Sequence, residues 1–130
     1  PAPAGGPPRL RVRGLAAGTK LSDVSFDLRA GEVLGLVALE GQGQDELFEA
    51  LGGFRRPRAG TVEVEGRPAA FRHPADAIAA GLTLVPGDRA QALLMARSVR
   101  ENVALPLLAR PRRWGPIRMA EEAARVQDAI

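Results

Sequence analysis

Val33-Leu34-Gly35-Leu36-Val37-Ala38-Leu39-Glu40-Gly41-Gln42-Gly43-Gln44-Asp45-Glu46-Leu47-Phe48 runs from a continuous apolar stretch through a glycine loop into residues of helical character. An unbroken apolar run of this kind matches a strand buried on both faces, as in the middle of a parallel sheet. Gly41 and Gly43 allow the chain to turn. Asp45 and Glu46 suit the positive first turn of a helix, Leu47, Phe48 and Leu51 share one helical face, and Gly52-Gly53 marks the stop. The unit reads as buried strand, glycine loop, and helix from Gln44 to Leu51, and it makes the fold class α/β.

Outward from this unit the patterns change. Arginine alternates with Leu10 and Val12 from Arg9 to Arg13, and Val24, Phe26 and Leu28 repeat that period after a turn containing Gly18. Two antiparallel strands are expected there. Thr61 to Glu65 alternates through Val62 and Val64 before Gly66; Pro74 opens a short helix, Ala75 to Ala80, closed by Gly81. Leu82 to Val85 reads as a second short apolar strand. Ser98-Val99-Arg100-Glu101 fits a capping box that starts a helix toward Leu105. Arg110 to Pro116 is a proline and arginine loop, and Met119 to Ile130 reads as a helix. Pro1 to Pro8, uncharged and half proline, reads as a linker, with the domain running over residues 9–130.

Composition sets bounds on function. The chain has 130 residues, 45% apolar and 25% charged, which suits one modest domain, and its start at Pro1 suggests a piece of something longer. Cysteine is absent, which removes disulfides, thiolate metal sites and cysteine nucleophiles. No apolar run approaches the roughly 18 residues that cross a bilayer. The net charge of +3 is uneven: all basic residues are arginine except Lys20, and six arginines between Arg97 and Arg118 face Glu101 alone. Trp114 is the one aromatic in that basic segment, so the stacking platform of a nucleic-acid binder is missing. No nucleic-acid partner is expected.

A strand that turns through glycines into a helix N-terminus is a natural anion site, because free backbone N–H groups and the helix dipole converge there. The phosphate-loop pattern G-x-x-x-x-G-K-[ST], laid on Ala38, Gly43, Gln44 and Asp45, matches at Gly43 alone. Lysine and the two hydroxyl positions have become Gln44, Asp45 and Glu46, a local change of three negative charges. Each unit interaction at about 4 Å and an effective dielectric near 20 is on the order of 4 kcal/mol. The sign opposes tight triphosphate binding. The plainer reading is that Asp45 and Glu46 only stabilise the first helical turn, each by roughly 0.3–1 kcal/mol. A dinucleotide fingerprint through Gly41 and Gly43 fails at its third glycine, which is Glu46.

The order of motifs nevertheless resembles a known family. Leu21 to Pro68, LSDVSFDLRAGEVLGLVALEGQGQDELFEALGGFRRPRAGTVEVEGRP, is similar to the start of an ATP-binding cassette of an ABC transporter. It most resembles the second cassette of the fused, two-cassette ATPases of ribose- and galactose-type sugar importers and related nucleoside importers. Such cassettes carry a lysine-free G-x-G-[RQ]-x-E-L loop, here Gly41 to Leu47. They also carry a V-P-E-D-R-type segment at the glutamine-loop position, here Val85-Pro86-Gly87-Asp88-Arg89, and an S-V-x-E-N helix, here Ser98 to Asn102. Gly87 departs from the acidic residue of that pattern.

The resemblance implies an antiparallel β subdomain plus part of a parallel sheet with helices, the N-terminal part of a P-loop cassette. No counterpart of the signature, the acidic Walker B strand or the switch histidine is present. His73 reads as a solvent-facing turn residue beside Pro74. The implied activity is that of an ATP-binding subunit of a sugar importer, with ATP and Mg²⁺ used by the parent protein and no catalytic residue in this stretch. Residual nucleotide contact would run through Gly41, Gln42, Gly43, Gln44, Asp45 and Glu46, with Gly87, Asp88 and Arg89 as the glutamine-loop-like region. The implied partners are a membrane permease, faced by Arg110, Arg112, Arg113 and Trp114, and a partner cassette, at the cytoplasmic face of the membrane. With uncovered central strands, the chain alone is expected to self-associate.

Overall fold

A computed structural model describes residues 6–108, 123–124 and 126–128. They divide into two compact units, one up to Leu84 and one from Val85 onward.

The first unit is built on a four-stranded antiparallel sheet. Its strands are β1 (Leu10–Ala17), β2 (Leu21–Leu28), β3 (Ala59–Val64) and β4 (Arg67–Ala69), in the order β2-β1-β3-β4. Helices α1 (Gln44–Leu51) and α2 (Pro74–Ala79) complete the unit. Val12 lies opposite Phe26 on one side and Val62 on the other, as the alternating pattern requires. Gly14, at φ +57°, sits where the register shifts between Val12 and Leu15. This bulge rephases β1 by one residue, so that Leu10 and Val12 before it and Leu15 and Ala17 after it all enter the core. Leu21, Leu47, Ala50, Val62, Phe71 and Ala77 close that core.

The other face of the sheet is an ion-pair ladder. Arg9 meets Glu65 at 2.9 Å, Arg11 meets Glu63 at 2.9 Å, and Arg13 meets Asp27 at 2.7 Å. The strand arginines are thus paired across neighbouring strands, each pair contributing about 0.2–1 kcal/mol. At α2, His73 is the N-cap: its Nδ1 accepts the Ala75 N–H at 3.1 Å, while Asp76 accepts the N–H of His73 at 3.0 Å. It is an exposed structural residue, as its place beside Pro74 indicated.

Two expected strands are absent. Val33–Leu39 carries no ladder and is exposed throughout, with Val33 at 97% and Val37 at 100%. Leu82–Val85 is likewise not a strand. The apolar run suits a strand buried on both faces, but such a strand forms only between two hydrogen-bonding neighbours under helices on both faces. Among the described residues no strand lies beside either segment. The chain is α/β through its antiparallel sheet and helices, and no parallel sheet forms among the described residues.

The second unit contains α3 (Arg89–Ala92) and α4 (Val99–Leu108). The expected capping box is present: the Ser98 N–H donates to Glu101 at 2.9 Å, and the Glu101 N–H donates to Ser98 Oγ at 3.3 Å. Asn102 ties the preceding turn to the helix, accepting from the Leu94 N–H at 2.8 Å and donating to the Leu94 and Ser98 carbonyls. Of the expected helix Met119–Ile130, residues 123–124 and 126–128 are helical, and the rest lies outside the described residues.

Candidate nucleotide-binding loop

The loop forms because two glycines take conformations that other residues resist. Gly41 has φ +78° and Gly43, the N-cap of α1, has φ +98°. Gly43 offers no side-chain cap, so the first N–H groups of α1 keep their donors free for other acceptors. Gly43 is also buried, pressed on the start of β2: a Cβ there would stand 2.8 Å from the Leu21 nitrogen and 3.0 Å from the Lys20 carbonyl carbon.

Glu46, three residues into the helix, does not face the loop mouth. Its carboxylate accepts the backbone N–H groups of Thr19 at 3.0 Å, Lys20 at 2.9 Å and Leu21 at 2.8 Å. These bonds hold its pKa down at about 2, Thr19 first among the causes, with the Arg55 charge adding a little. Glu46 is therefore an internal anion that clamps the β1–β2 turn to α1. Gln44, at the lysine position, folds back so that its Oε1 accepts the Gln42 N–H at 3.1 Å. The same N–H also donates to the Leu39 carbonyl at 3.2 Å, so this amide is engaged within the loop. Asp45 is exposed at the first turn.

The clamp has a consequence that spacing along the chain did not reveal. Lys20, far from the loop in sequence, is delivered to it by the β1–β2 turn: a Cβ on Gly41 would lie 3.3 Å from Lys20 Nζ. The structure thus brings Gly41, Gln42, Gly43, Gln44, Asp45 and Glu46 together with Lys20. A carboxylate at the third helical position without a Ser, Thr or Asp cap beside it was the available signal, since it must find donors elsewhere.

The glutamine-loop-like residues belong to the other unit. Gly87 and Asp88 are exposed, and Asp88 caps α3 by accepting the Ala90 N–H at 2.9 Å; Arg89 is the first residue of that helix. Arg110, Arg112, Arg113 and Trp114 lie outside the described residues. Among the described residues no His, Asp and Glu side chains gather as a metal site. Backbone donors and Lys20 fit a phosphate group; the side chains at 44 and 45 do not supply the lysine and hydroxyl that hold triphosphate and Mg²⁺.

Residues 21–130, from the start of β2 through the glycine loop and beyond, match the ABC transporter family. This chain belongs to that family. It is 41% identical over 120 residues to a ribose import ATP-binding protein of Rhizobium meliloti, covering 92% of this chain and 24% of that protein. Against a ribose import ATP-binding protein of Chromobacterium violaceum it is 41% identical over 123 residues, covering 94% of this chain and 24% of the relative. A third, from Roseobacter denitrificans, is 38% identical over 120 residues, with 92% and 24% covered. The chain spans about a quarter of the length of these ABC transporter relatives. The described residues contain no helix long and apolar enough to cross a membrane.

Proposed function

We propose that this chain is the N-terminal portion of a degenerate, second ATP-binding cassette in the ATP-binding subunit of an ABC importer for simple sugars, and that its loop binds nucleotide weakly or not at all. The named relatives support the sugar, and the order of motifs supports the second cassette. One observation carries the weak loop: Gln44, Asp45 and Glu46 stand where a phosphate loop has lysine and hydroxyls, with Gln44 closed on a loop amide and Glu46 turned to the β1–β2 turn. Any phosphate would meet the N–H groups of Gly41 to Gln44, with Lys20 the cation nearest Gly41. The chain alone is inactive in this reading, since phosphoryl transfer needs positioned Mg²⁺ and a water-orienting group that it does not assemble.

The parent protein would use ATP and Mg²⁺, work with a membrane permease and a partner cassette, and lie at the cytoplasmic face of the membrane. Arg110, Arg112, Arg113 and Trp114 are the proposed permease-facing residues. Titration of the chain with MgATP tests the loop: heats that saturate only in the millimolar range or above are expected, and micromolar affinity overturns the reading.

A second reading, a noncatalytic module that docks on a permease, is favoured by the apolar platform of Leu93, Leu94, Met95 and Val99, all exposed and held in place by Asn102. Charge reversal at Arg110, Arg112 and Arg113 in the full transporter tests this second reading: uncoupled transport is expected from it, and unchanged transport overturns it. Either way, the exposed run from Val33 to Leu39 supports association with a second copy. Light scattering should show a mass above that of one chain, and a strict monomer contradicts that part.

A further inference from the structure

A cavity of about 440 Å³ opens in the first unit between the end of α1, β3, β4 and the segment leading to α2. Its floor is Leu15, Val62 and Phe71, all buried. Arg56 and Arg72 line it and are exposed, and no carboxylate lines it at all. The volume falls in the range of small-molecule sites, which combine an apolar body with a few convergent polar groups.

Neither Arg56 nor Arg72 is neutralised by a carboxylate among the described residues, a state they share with Arg58 and Arg67, whereas Arg9, Arg11, Arg13 and Arg55 each hold one. The nearby acids are engaged: Glu49 is 2.6 Å from Arg55, and the Asp76 carboxylate accepts the Arg72 and His73 backbone N–H groups. Two unpaired guanidinium groups beside an apolar floor make a positive potential with nothing inside the protein to answer it. Planar N–H forks of this type match carboxylate and phosphate oxygens. None of the lining residues belongs to the loop 40–46, so the cavity is separate from the loop's phosphate position.

We propose that this cavity binds a small amphipathic anion, its apolar body against Leu15, Val62 and Phe71 and its carboxylate or phosphate head held by Arg56 and Arg72. Methyl-labelled chain, with the Leu15 and Val62 signals assigned, is titrated with 1-naphthyl phosphate, 1-naphthoate and neutral 1-naphthalenemethanol, and with inorganic phosphate. Saturable shifts at Leu15 and Val62 are expected with the aromatic anions, the stronger of the two naming the head group. Arg56→Ala and Arg72→Ala should each weaken binding about tenfold. Both positions are exposed, so an unchanged spectrum of the free variants verifies the fold, and Ala70→Trp, also at an exposed lining position, should block binding by filling the cavity. Shifts confined to residues 33–39, equal binding of the neutral alcohol, equal binding of inorganic phosphate alone, or undiminished binding in the double arginine variant would each overturn the proposal.

Discussion

Gly43→Ala will destabilise the first unit by about 3 kcal/mol, read as a shift of the urea unfolding midpoint. A left-handed backbone costs an L-residue roughly 1–2 kcal/mol, and forced overpacking adds about 1–3 kcal/mol. Both apply at Gly43, whose φ is +98° and whose added methyl meets the backbone of Lys20 and Leu21, where no flexible end can yield. Gly41→Ala is the control. Its φ of +78° carries the same conformational strain, but within 4 Å its methyl meets only Lys20 Nζ, which can swing away. Equal losses in the two variants would mean that the loop is not seated on β2. Glu46 reaches the same seat from the other side, through the Thr19, Lys20 and Leu21 N–H groups. Because its folded pKa is depressed from 4.5 to about 2, its stabilisation is complete above pH 4.5 and is lost as pH falls toward 2. In Glu46→Gln that part of the acid slope disappears. Glu101, held low by the Ser98 N–H and Arg97, titrates in the other unit and keeps its own contribution.

What could be read from residues alone was what local pattern controls. Alternation placed β1, β2 and β3, the glycines bounded α1, and Pro74 and Ser98 marked the starts of α2 and α4. The short β4 was not foreseen, because Arg67-Pro68-Ala69 has no alternation and is a strand only through its pairing with β3. The stretch Val33–Leu39 failed for the converse reason: its pattern was strong, but a parallel strand is a property of its neighbours. Residues 41–46 were legible as a glycine loop entering a helix. The positions of Glu46 and Lys20 relative to that loop were not, since they depend on a turn more than twenty residues away folding over the helix start. The cavity between Arg56 and Arg72 had no linear signature, its walls coming from three strands, a helix end and two connecting segments.

Placing a lysine and a hydroxyl in the loop with Gln44→Lys and Asp45→Ser will tighten MgATP binding about tenfold, measured by the same titration as for the unaltered chain. Each substitution moves the local charge by one unit toward positive. In a solvent-exposed turn about 0.5–1 kcal/mol of each interaction survives screening, and the two together make roughly one decade in the dissociation constant. Removing Gln44 also relieves the Gln42 N–H of one of its two acceptors, Gln44 Oε1 and the Leu39 carbonyl. Position 46 is where the simple charge count goes astray. Three negative charges separate this loop from the phosphate-loop pattern, and counting alone recommends changing Glu46 as well. Its carboxylate, however, holds the turn that carries Lys20 to Gly41, so Glu46→Thr frees three backbone donors and withdraws the nearby cation. The triple variant should therefore bind no more tightly than the double and unfold at lower urea, while Lys20→Ala in the double variant should give back part of the gain. A triple variant that outperforms the double would place the Glu46 charge, rather than its clamp, in control of the site.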